Sequence, residues 1–185
     1  MHKYAFVALA TLALFAGCSK DEPKGPVDQI LELGAQAEQE IAATAAKRAA
    51  TQDVTEAVEL GKQEVALADS ALARMQAILG GKNNRLPLVL GSSTDTLPVN
   101  FAGATIGRPD FYKGTFSVNL VISGTNKRPL PEGTSFQLVA LDSAGKILAS
   151  KDASMVDSLK LGDSLYAGGI FRCTEVKGLR AIAAR

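Results

Sequence analysis

Few side chains in this 185-residue sequence could carry chemistry. The one histidine, His2, lies in a basic and then apolar N-terminal stretch that reads as a removable signal segment. A chain cut after that segment has no imidazole, so it cannot build a Ser-His or Cys-His nucleophile. It also lacks the commonest transition-metal ligand, and two cysteines, Cys18 and Cys173, do not make a zinc cluster. Ser143-Ala-Gly-Lys146 has the Ser-x-x-Lys spacing of serine acyl-enzymes. That chemistry needs the serine at a helix start with companion Ser-Asp-Asn and Lys-Thr-Gly motifs, which are absent. Here the segment reads as a hairpin turn. No Gly-x-x-x-x-Gly-Lys loop occurs, and Gly80-Gly81 and Gly168-Gly169 read as a helix stop and a strand irregularity. The carboxylates after residue 82 stand mostly beside turns, with no spacing that pairs two of them for acid–base work. The expectation is a protein that is not an enzyme and holds no metal or cofactor.

Cys18 is the exception, because its chemistry comes from where it stands. Ala5 to Ala16 is an uncharged apolar run of about a dozen residues, the length of a signal-peptide core and too short to span a bilayer. It ends Leu14-Phe15-Ala16-Gly17-Cys18. This resembles the bacterial lipobox, with Phe15 where the family usually has leucine. The resemblance implies a signal peptide over residues 1–17, cleavage before Cys18, and acylation of that cysteine. Each buried methylene of an acyl chain contributes about 0.8 kcal/mol, and two or more chains make anchoring stable. Ser19 stands where an aspartate would resemble the inner-membrane retention signal; serine resembles outer-membrane cargo, which places the protein on the periplasmic face of the outer membrane. Cys173 then has no partner within the chain and reads as a buried strand thiol at the end of Gly169-Ile-Phe-Arg-Cys173.

The elements behind these residues fall into three parts. Residues 18–26 make a polar tether with two prolines, in which the eight residues 19–26 reach at most about 28 Å. Residues 27–80 are Ala-, Glu- and Gln-rich without proline, flanked by Pro26 and Gly80-Gly81, which suits helix. Val54, Val58, Gly61, Val65, Ala68, Leu72, Met75 and Leu79 step by fours and threes, the pattern of a coiled-coil seam, while Ile30, Gly34, Ala37 and Ile41 make a weaker one. The two phases do not join, and Asp53-Val-Thr-Glu56 looks like a capping box. That favours an α-helical hairpin, about 27–50 and 54–79, over one helix about 80 Å long. Residues 82–185 contain short runs at 86–90, 94–100, 115–123, 135–141, 146–151, 155–160, 164–173 and 179–184, separated by Gly, Pro, Ser and Thr. This spacing predicts an antiparallel β-sandwich, so the fold class is α+β.

Lys plus Arg is 20 and Asp plus Glu is 19. Lys3 is the only charged residue in 1–17, so cleavage leaves 19 of each sign. That balance argues against nucleic-acid binding. Residues 27–79 carry nine acids and four bases, and residues 82–185 carry thirteen bases and eight acids. Either the helices dock on a sandwich with complementary fields, or the two surfaces are simply solvated. Phe111 and Tyr112, between Arg108-Pro-Asp and Lys113-Gly, form an aromatic segment that serves either as a contact loop or as a strand start. Lys127 and Arg128 lie in a rigid basic loop closed by Pro129 and Pro131, a candidate partner edge.

Three stretches, Leu120-Val-Ile-Ser-Gly-Thr-Asn-Lys, Phe136-Gln-Leu-Val-Ala-Leu-Asp142-Ser-Ala-Gly-Lys146 and Leu159-Lys-Leu-Gly-Asp163, are similar to FxLYD-type immunoglobulin-like domains of bacterial envelope proteins. The similarity covers about 60 residues, and Ala140-Leu141-Asp142 stands where Leu-Tyr-Asp would. It implies an immunoglobulin-like module for binding or scaffolding and transfers no catalytic residue. The functional expectation is a membrane-anchored scaffolding lipoprotein that pairs with an envelope protein, or with itself through the helices. The alternative is a small periplasmic ligand-binding or enzyme-inhibitor lipoprotein.

Overall fold

The computed structural model describes residues 25–80, 84–90, 98–154 and 159–184. Two helices lead. α1 spans Pro26–Ala50 and α2 spans Val54–Leu79. Pro26 occupies the first turn of α1, where its missing N–H costs no bond. Lys47 and Arg48 sit in the last turn, favourable beside the helix C-terminus. Three residues turn the chain. The Asp53 carboxylate accepts the N–H groups of Thr55 (2.8 Å) and Glu56 (3.2 Å), which starts α2 as the sequence predicts. The other half of the expected box closes differently: Glu56 accepts the Thr51 hydroxyl, and that hydroxyl oxygen accepts the Asp53 N–H at 3.3 Å.

Eight strands follow: β1 Arg85–Leu86, β2 Leu88–Val89, β3 Val99–Tyr112, β4 Thr115–Asn126, β5 Ser135–Leu141, β6 Ile147–Ser154, β7 Ser164–Arg172 and β8 Ala181–Ala184. They form two four-stranded sheets, β1-β3-β4-β7 and β2-β8-β5-β6. The fold is α+β, a helical hairpin followed by a sandwich. Every pair of strands is antiparallel except β2–β8, which is parallel. The run predicted at 86–90 is broken by Pro87, so β1 joins one sheet and β2 the other. Of the run predicted at 94–100, residues 94–97 lie outside the described residues, as do 155–158 of the run at 155–160; Leu159 there makes a single bridge to Leu130.

The largest departure from expectation is β3, which runs to Tyr112. Gly103, Gly107 and Pro109 interrupt its alternation, and the ladder to β4 shifts register at Phe101/Gly103 and Ile106/Pro109. Pro109 is tolerated because β1 covers only Ala104 and Thr105 on that edge, so its missing N–H breaks no pairing. Lys113 and Gly114 close the β3–β4 hairpin with φ of 50° and 80°, the positive-φ pair a tight hairpin needs.

Phe116, Val118, Leu120 and Ile122 of β4 face inward as their alternation predicts, and meet Phe136 and Leu138 of β5 and Leu165, Ala167 and Phe171 of β7 in one core. Phe101 meets Phe136 edge to face at 6.3 Å. The same core continues into the helices through Ile30, Leu31, Leu33, Ala37, Ile41, Ala68, Ala71 and Met75. Full burial of side chains such as Ile30, Leu31 and Met75 contributes about 1.5–3 kcal/mol each.

The structure divides the predicted seam of α2. Ala68 and Met75 are buried, together with Ala71, and Leu72 and Leu79 pack on the same core, whereas Val54, Val58 and Val65 are exposed, Val54 by 77%. At 100° per residue the valines lie roughly 90° from the line of Ala68, Ala71 and Met75. The heptad steps mark an apolar face truly, but not what covers it. Only the first two-thirds of α1 and the second half of α2 bury residues; the rest of the hairpin, residues 42–67, buries none.

Candidate functional site

Of the residues singled out in the sequence, Cys18 and Ser19 lie outside the described residues. Phe111 and Tyr112 are the end of β3, neither a loop nor a strand start. They part company there. The Phe111 ring tilts against Phe116 at 4.6 Å and packs on the core, while Tyr112 is exposed with the Lys113 ammonium 5.2 Å from its ring centre. Lys127 and Arg128 follow β4 and are exposed. The β3–β4 ladder pairs Tyr112 with Thr115 at one end and Val99 with Asn126 at the other. At about 3.4 Å per residue these ends are roughly 37 Å apart, so the aromatic and basic candidates do not form one site.

Asn126 takes a structural role. Its N–H reaches the Asp163 carbonyl, its carbonyl accepts the Gly162 N–H, and its Nδ2 donates to Lys160 O at 3.1 Å. The Thr-Asn and Leu-x-x-Gly-Asp segments thus lock together. Asp142 orders the β5–β6 hairpin by accepting the N–H groups of Ala144 and Lys146, so Ser143 and Lys146 stand in a turn.

The joint between helices and sandwich is specific. Phe116 gives its carbonyl to the Cys173 N–H and its own N–H to Glu38 Oε1 at 2.6 Å. The Glu38 carboxylate therefore takes a strand hydrogen bond that β7, ending at Arg172, no longer supplies. Burial raises the Glu38 pKa above its ordinary value, against the lowering pull of the Phe116 N–H and the Arg172 charge. The Cys173 thiol is pushed up to about 12 by burial and then by Glu38, which leaves it a packing group rather than a nucleophile. Gly34 of α1 lets these surfaces meet: a Cβ there would stand 2.7 Å from Cys173 Sγ and 3.2 Å from Phe116 Cβ. Asp28 of α1 pairs with Arg180 at 2.5 Å. Docking between the acidic helices and the basic sandwich is thus made within one chain. Beside this pair a cleft of about 610 Å³ is lined by Asp28, Leu31, Leu86, Leu179 and Arg180.

Among the described residues two surfaces stand open beside this joint. The first is the projecting half of the hairpin, where α1 contributes Ala42, Ala46 and Ala49 and α2 contributes Val54, Val58 and Val65. Arg48 and Glu64 tie the helices together here at 2.8 Å. The second is the outer face of the β1-β3-β4-β7 sheet. Its rows run from β3 across β4 to β7: Gly103–Ser123–Tyr166, Thr105–Val121–Gly168 and Asp110–Ser117–Arg172. Between the last two, Asn119 pairs with Ile170, and Gly107 lies against Asn119 on the other side. Tyr166 and Ile170 are 73% and 69% exposed. A Cβ on Gly168 would strike Asn119 Oδ1 at 2.8 Å, and that oxygen has no hydrogen-bond partner among the described residues. A shallow cleft of about 430 Å³ lies there between Arg108, Asp110, Ser117, Asn119 and Ile170. Sequence reasoning missed this face, although a signal existed: Tyr166 and Ile170 alternate with the buried Leu165, Ala167 and Phe171, which makes β7 apolar on both sides.

Among the described residues no group of three His, Cys, Asp or Glu side chains is placed to hold a metal ion, and no helix is long and apolar enough to cross a membrane. No family model matches the chain. No curated protein matches it either. Among solved structures, a similarity is found to the crystal structure of Campylobacter jejuni cj0090, at 15% identity and a TM-score of 0.26, covering 53% of this chain and 97% of that one.

Proposed function

We propose that this chain is a lipid-anchored, non-catalytic interaction or scaffolding module of a bacterial cell envelope, held through Cys18 at the periplasmic face of the outer membrane. The observation that carries the reading is the row Val54, Val58 and Val65, three β-branched apolar side chains left open on a helical hairpin whose base is fixed to a sandwich. An exposed apolar stripe on a helix is the surface an amphipathic partner helix covers. Ala42, Ala46 and Ala49 beside it leave room for large side chains from that partner. The Ala16-Gly17-Cys18 segment supports the anchor, and the polar tether of residues 19–26 gives it reach.

The test has two arms. Replacing Cys18 by Ser should move the protein from the membrane fraction to the soluble one. Replacing the three valines by Ser should abolish cross-linking to an envelope protein from a photoreactive residue at position 46 while leaving the melting temperature within about 6 °C, since each exposed site changes stability by only about 0.5 kcal/mol. Membrane retention by Cys18→Ser, or undiminished cross-linking by the valine variant, contradicts the reading.

A further inference from the structure

The outer face of the β1-β3-β4-β7 sheet is complementary to itself, and the geometry points to a second copy of this chain as its occupant. Take a twofold axis along β4, lying in the plane between two such faces. The rotation leaves β4 over β4 and places β7 of each copy over β3 of the other. Row by row the pairs then match. Tyr166 meets Gly103, where a side chain would find open space. Gly168 meets Thr105 and leaves room for it. Ile170 meets Gly107. Arg172 meets Asp110, a positive charge over a negative one. Tyr166, Ile170 and Arg172 of β7 thus stand over Gly103, Gly107 and Asp110 of β3; Thr105 over Gly168 reverses the order of size, and Arg108 adds a cation on β3. On the axis itself, Ser117, Asn119, Val121 and Ser123 of β4 face their own copies, an uncharged row.

Sheets pack in this manner about 10 Å apart with strands within about 30°. The face measures about 27 Å by 14 Å, so two copies cover roughly 800 Å² of flat surface, below the ~1,200 Å² of a tight complex. A dimer of that size is weak and transient. The inference stands on the sheet face alone and does not require the hairpin partner or the lipid.

Two experiments on the full chain carrying Cys18→Ser test it. In the first, Ser123→Cys, which the twofold sets opposite its own copy, is treated with a bis-maleimide spanning about 10 Å, the separation of packed sheets. It should give a covalent dimer, whereas Lys146→Cys, in the β5–β6 turn of the other sheet, should give none. No cross-linked dimer from Ser123→Cys, or equal cross-linking by Lys146→Cys, overturns the inference. In the second, sedimentation follows self-association. Asp110→Arg sets like charges face to face and should weaken the dimer at least about tenfold, and Asp110→Arg with Arg172→Asp should restore it to within about threefold. The restoration separates pairing between copies from the contacts these residues make at home, where Asp110 accepts the Phe111 N–H and Arg172 faces Glu175. A chain that stays monomeric at about 500 μM, or a double exchange no better than the single, overturns it.

Discussion

Two glycines of the same hairpin should respond to alanine with opposite sign. Alanine is favoured over glycine in a helix interior by about 1 kcal/mol, so each substitution gains that much if the new methyl group fits. At Gly61 it fits: the nearest atom is Arg48 Cδ at 3.8 Å, an ordinary contact. At Gly34 the methyl group would stand 2.7 Å from Cys173 Sγ, 3.0 Å from Cys173 Cβ and 3.2 Å from Phe116 Cβ. Two of those atoms are fixed to backbone and cannot swing aside, so α1 must lift from the sandwich. Overpacking of this kind costs about 1–3 kcal/mol, and the severity of the clash argues for the upper end. The net for Gly34→Ala is a loss of about 2 kcal/mol, against a gain of up to about 1 kcal/mol for Gly61→Ala. For a chain of this size each kcal/mol moves the melting temperature by about 2–4 °C, so the first variant should melt about 4–8 °C lower and the second about 2–4 °C higher. Adding Cys173→Ala to Gly34→Ala removes the worst contact but not the Cβ one, and should recover part of the loss in a non-additive way. Calorimetry on these three variants, on Cys173→Ala alone and on the native chain decides it. Equal stabilisation by both glycine substitutions would refute the packing of α1 on Phe116 and Cys173.

The remaining expectations concern charge, thiol chemistry and the open stripe. Because the Glu38 pKa is raised in the folded chain, the folded state binds its proton more readily than the unfolded state does. The stability this linkage contributes is full below the ordinary glutamate value and is lost as pH rises through the raised one. Urea midpoints of the native chain should therefore gain on those of Glu38→Gln as pH falls through that window; a pH-independent gap, or one of the opposite sign, counts against the joint as described. Cys173, with its pKa near 12, should resist alkylation in the native chain at pH 8 and react at the normal rate once unfolded in urea. Rapid native labelling contradicts the buried placement. Truncating Val54, Val58 and Val65 together to Ser should leave the urea midpoint nearly unchanged, whereas Met75→Ala, at a fully buried position, should cost about 2–5 kcal/mol.

Much of the fold was legible because its signals are local. Pro26, the Asp53 cap and the Gly80 stop bounded both helices to within a residue, and the alternation of Phe116, Val118, Leu120 and Ile122 revealed the inward face of β4. What was not legible depends on partners far away in sequence. The strand β3 was hidden because bulges at Gly103 and Pro109 break its period, and only the β4 ladder shows that the chain continues extended. The steps of α2 put Val54, Val58 and Val65 in one coiled-coil seam with Ala68, Leu72, Met75 and Leu79, because periodicity marks an apolar face without naming its cover. The pairing of Asp28 with Arg180 and of Glu38 with Phe116 joins residues more than 75 positions apart, and only the opposite charges of the two halves hinted at it.

The account rests on anchored interaction, and the most direct measurement of that is cross-linking in intact cells from a photoreactive residue at position 58, comparing the native chain with Cys18→Ser. One discrete envelope partner should cross-link to the native chain, and that product should vanish together with membrane association when Cys18 is replaced. A chain that cross-links to nothing, and whose fractionation is unchanged by Cys18→Ser, would contradict it.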